Sequence, residues 1–91
     1  MSIDWNKKTE EKFSRIIENL PQFHRSIAQR LIKEKSEELA KDRASKEVED
    51  KDLFTAFFQE IPPAFKEMLK RLLTKLEIDY SEYVNQGKED K

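Results

Sequence analysis

The chain has 91 residues with 41% charged and 36% hydrophobic side chains, a formal net charge of −1, one histidine and no cysteine. That length holds one core and not two, and the near-neutral charge removes the broad attraction on which nonspecific nucleic-acid and membrane-surface binders rely. Without cysteine there are no disulfides, thiol catalysis or thiolate metal sites.

No apolar run is long enough to span a bilayer, and Met1-Ser2-Ile3-Asp4 carries no signal-peptide pattern, so the cytoplasm is the expected compartment. A single glycine, Gly87, leaves no glycine-rich loop to cradle a phosphate.

In chain order, Trp5, Phe13, Ile16, Ile17 and Leu20 share one helical arc, which predicts a first helix over 5–19 with Glu10 and Glu11 near its positive end. On that arc Trp5 reads as a core anchor at the domain edge, with a ligand-stacking ring as the alternative. Pro21 suits the first turn of a helix, where its missing N–H has no intrahelical partner. It opens the longest predicted element, over about 21–43.

Phe23, Ile27, Ala28, Leu31, Ile32 and Leu39 recur there at spacings of three and four, and Phe23, Ile27 and Leu31 are expected to form one edge of the buried face. Beyond Ile32 the helix turns to mixed charge with little to bury. Glu37 and Lys41 stand in the favourable acid-before-base order, worth about 0.3–0.5 kcal/mol on an exposed face.

The stretch 44–49 lacks periodicity and reads as a short extended connection with Val48 pointing inward. Asp50 is the expected N-cap of a third helix over 51–60, with Leu53, Phe54, Phe57, Phe58 and Ile61 on one face and Ala56 beside them, turned toward the core. Pro62 and Pro63 break that helix. Phe65, Met68, Leu69, Leu72, Leu73 and Leu76 then predict a fourth over 63–76.

Asp79 and Glu82 have capping-box spacing between Ile78 and Tyr83, predicting a short fifth helix over 80–85 that Gly87 ends. The expected fold is therefore all-α: a compact four- to five-helix single domain over 1–86 with a charged tail over 87–91.

No catalytic constellation accompanies these elements. His24, the lone histidine, lies near the first turn of the long helix without a carboxylate at ligand spacing or a polar group in register to orient it, so its expected role is structural. Lys66, Lys70, Arg71 and Lys75 form a basic stripe on the fourth helix, offset by Glu67 and Glu77 and without interleaved aromatics. No metal, no other cofactor and no independent enzymatic activity are expected.

One resemblance supplies a context. Trp5, Leu20-Pro21-Gln22-Phe23-His24-Arg25, Gln29-Arg30, Leu39-Ala40 and the run from Glu47 to Ala56 follow one another as in a known small domain. The chain over about Trp5 to Phe58 resembles the C-terminal domain of the B subunit of light-independent protochlorophyllide reductase, which also occurs as small free-standing proteins.

Gln29 stands where that family has the first of two arginines, and Ala44 where a glycine usually ends the second helix. That helix is also about one turn longer here. The resemblance implies a nitrogenase-like, ATP-driven iron–sulfur reductase acting on a tetrapyrrole as the wider setting.

Lacking cysteines and a phosphate loop, the chain cannot perform that reaction alone. It implies instead a noncatalytic accessory domain whose partner is another protein, a reductase subunit in that setting, with Phe23, Arg25 and Arg30 as expected contact residues. The stretch from Val48 to Ala56 also looks like the second loop and third helix of a histone fold, which makes a histone-like nucleic-acid-associated module the alternative.

Overall fold

The structure, a computed structural model, describes residues 3–81. In chain order these form strand β1 (Asp4–Trp5), helix α1 (Lys7–Glu18), the long helix α2 (Gln22–Asp42), strand β2 (Glu47–Val48), helix α3 (Asp50–Glu60), a 3-10 turn (Pro63–Phe65) and helix α4 (Lys66–Lys75). The domain is all-α apart from a pair of two-residue parallel strands, with Asp4 opposite Glu47 and Trp5 opposite Val48. Among the described residues no helix is long and apolar enough to cross a membrane.

α1 begins two residues later than its apolar arc suggests. The Asn6 side-chain oxygen accepts from the backbone N–H of Lys8 at 3.0 Å and of Thr9 at 3.3 Å, capping the helix and leaving Trp5 outside it. Trp5 lies in β1, stacked on Phe13 with ring centroids 5.1 Å apart, and its indole N–H donates to Glu37 Oε2 at 2.9 Å. It thus ties the start of the chain to α1 and α2 together, as an edge anchor does.

The core gathers Phe13, Ile16 and Ile17 of α1, Leu53, Phe54, Phe57 and Phe58 of α3, and Leu69 and Leu73 of α4 against one side of α2. Among the described side chains of α2 the fully or nearly buried ones are Ile32, Ser36 and Ala40, with Ala28 half-buried in the same row. They stand four apart, and the small Ser36 and Ala40, each 0% exposed, let α3 approach closely.

The expectation that Ile27 and Leu31 edge the buried face is overturned: they are 54% and 40% exposed. A helix packed mainly against one neighbour buries one row of side chains, and here the row with the smaller residues faces α3. Phe23 lies in the first turn of α2, and its side chain is outside the described residues.

The N-cap of α3 is Glu49, not Asp50. Asp52, three residues into the helix and 2% exposed, accepts the Glu49 N–H at 2.9 Å, as the acid of a capping box does. Asp50 is used otherwise: it accepts from the Thr9 hydroxyl at 2.5 Å and pairs with Lys12, joining α3 to α1.

Asp52 also receives Arg43 in a bidentate pair, from Nε at 2.8 Å and from Nη2 at 2.7 Å. Hydrogen bonding to Asp52, with Glu49 adding to it, raises the Arg43 pKa above its ordinary value against the opposing cost of desolvation.

Helices α2 and α4 end alike. After α2 the Ser45 N–H donates to the Ala40 carbonyl at 2.9 Å and the Ala44 N–H to that of Lys41 at 3.0 Å; after α4 Ile78 donates to Leu73 at 2.9 Å and Glu77 to Thr74 at 3.0 Å. These are Schellman closures, and they place Ala44 at φ 59° and Glu77 at φ 61°, the left-handed region that favours glycine.

The fourth helix differs at its start. Pro63 to Phe65 turn as a 3-10 segment, so α4 proper begins at Lys66 rather than Pro63. Three residues per turn carry Phe65 off the line of Leu69 and Leu73, and it is 40% exposed while they are fully buried.

After Ile78, itself buried, the Asp79 carboxylate accepts from Ser81 N at 3.1 Å and Ser81 Oγ at 2.9 Å. These bonds, the backbone one first, hold its pKa below the ordinary value. The rest of the expected helix over 80–85, and the tail over 87–91, lie outside the described residues.

An apolar groove beside the long helix

The residues missing from the core define the site. Ile27 and Leu31 on the first half of α2 and Phe65 in the 3-10 turn rim a cavity of about 250 Å³. Leu20, Ile32 and Phe57, all buried, are also part of its lining. The wall opposite α2 comes from the end of α3, the break after it with Ile61 and Pro62, and Met68 of α4.

The break positions that wall. Pro62 and Pro63 cannot continue α3, so the chain turns away at Ile61, whose backbone is extended at φ −77° and ψ 136°. The corner stands off from α2 instead of packing flush against it, and the apolar side chains on both sides remain partly in water.

Among the described residues, only two side chains in the lining are titratable, His24 and Glu60. The half-buried His24 ring lies 5.9 Å from that of Phe65 at 59°, part of the apolar wall as much as of the polar mouth. Among the described residues no three of histidine, cysteine, aspartate and glutamate gather where they could hold a metal ion. What the groove can do is take apolar side chains out of water, at about 25 cal/mol per Å² of apolar surface covered.

The three residues expected to contact a partner separate. Arg25 is turned back on its own chain: Nε donates to the Leu20 carbonyl at 3.0 Å and Nη2 to that of Glu18 at 2.8 Å, closing the carboxyl end of α1. Arg30 is exposed on α2, one residue before Leu31 of the rim. Phe23 keeps its place in the first turn of α2. On the basic stripe of α4, Lys70 pairs with Glu67 at 3.4 Å, while Arg71 and Lys75 are exposed.

Ile27, Leu31 and Phe65 were legible as apolar but not as a site. One signal was present: Ile27-Ala28 and Leu31-Ile32 are adjacent apolar pairs one turn apart, a wider arc than a single packing partner needs. Comparisons with protein-family models, with curated proteins and with solved structures return no match for this chain.

Proposed function

We propose that the protein is a noncatalytic helical interaction domain that docks another protein through the groove between α2 and the Pro62–Phe65 corner. One observation carries this reading. In a chain with 41% charged residues, three large apolar side chains, 54%, 40% and 40% exposed, surround one cavity. Exposed apolar clusters of this kind mark sites of association.

The setting we propose is the one the resemblance implies, an accessory role toward a nitrogenase-like tetrapyrrole reductase. Two features support it. Ala44 occupies a left-handed position where that family carries glycine, and a short extended segment leads into α3 as the family pattern has it.

Affinity capture from the native cell extract tests the proposal, with the parent chain and a Leu31→Glu variant of matched thermal stability as baits. Reductase subunits should be recovered by the parent and lost with the variant. Equal recovery by both would remove the groove from consideration. Salt-sensitive recovery of a nucleoprotein would favour the histone-like alternative.

A further inference from the structure

We draw no further inference here: the strongest candidate, the apolar groove between the amino half of α2 and the Pro62–Phe65 corner, belongs to the site already described, and nothing in the structure shows what covers it.

Discussion

The two halves of α2 solve opposite problems. Its carboxyl half is tied down by polar groups: Glu37 accepts from the Trp5 indole and pairs with Lys33 at 3.3 Å, Arg43 holds the buried Asp52 in two bonds, and the last carbonyls are closed by Ala44 and Ser45. Its amino half has apolar side chains on two sides, and of these Ile32 is buried while Ile27 and Leu31 are exposed. Charge-assisted bonds are satisfied within the chain, whereas exposed Ile27 and Leu31 gain only when something else covers them. The carboxyl half is therefore built for folding, and the amino half is available for association.

The sharpest way to break this contrast is at Asp52. Asp52→Ala removes the partner of Arg43 and the acceptor of the Glu49 N–H together, and should cost about 3 kcal/mol in urea unfolding. This lies at the low end for buried pairs because the Arg43 side chain is 34% exposed. A loss under about 1 kcal/mol would mean that the clamp adds little beyond packing.

Arg25→Ala is the next largest. Expected from sequence as a contact residue, it instead caps the end of α1, so its loss should lower the melting temperature by the equivalent of about 1 kcal/mol, or roughly 4–8 °C for a domain of this size. An unchanged melting temperature would return Arg25 to the list of contact candidates.

Ala44→Gly probes the same half in the stabilising direction. At φ 59° alanine is strained where glycine is not, and relief of about 1 kcal/mol should outweigh the added freedom of the unfolded chain. The folded protein should melt later, and a lower melting temperature would show that the α2 terminus tolerates alanine without strain.

Smallest of all should be Leu31→Ser, in the half reserved for association. At 40% exposure the leucine contributes little to the isolated fold, and the stability of the isolated chain should change by less than about 1 kcal/mol in urea unfolding. A loss near the Asp52→Ala value would place Leu31 in the core after all and remove the basis of the comparison.

Local chemistry carried much of the architecture. The apolar spacing of Leu53 to Phe58 and of Leu69 to Leu73, the paired prolines at 62 and 63, and the aperiodic stretch before Asp50 determined helices, break and connection where the structure has them. Each of these signals acts within a few residues through backbone sterics or one buried face. Val48, 0% exposed, needed nothing more than its position among polar neighbours to be placed inward.

What only tertiary structure decided was which of two apolar rows on α2 would be buried. Both rows have helical spacing, so periodicity cannot rank them, and the choice went to the row whose Ser36 and Ala40 allow α3 to pack close. The same holds for Arg25 and Asp50. An arginine or an aspartate reads in sequence as surface or cap, but whether it bonds a carbonyl of the preceding helix or a threonine 41 residues away depends on where the chain has folded back.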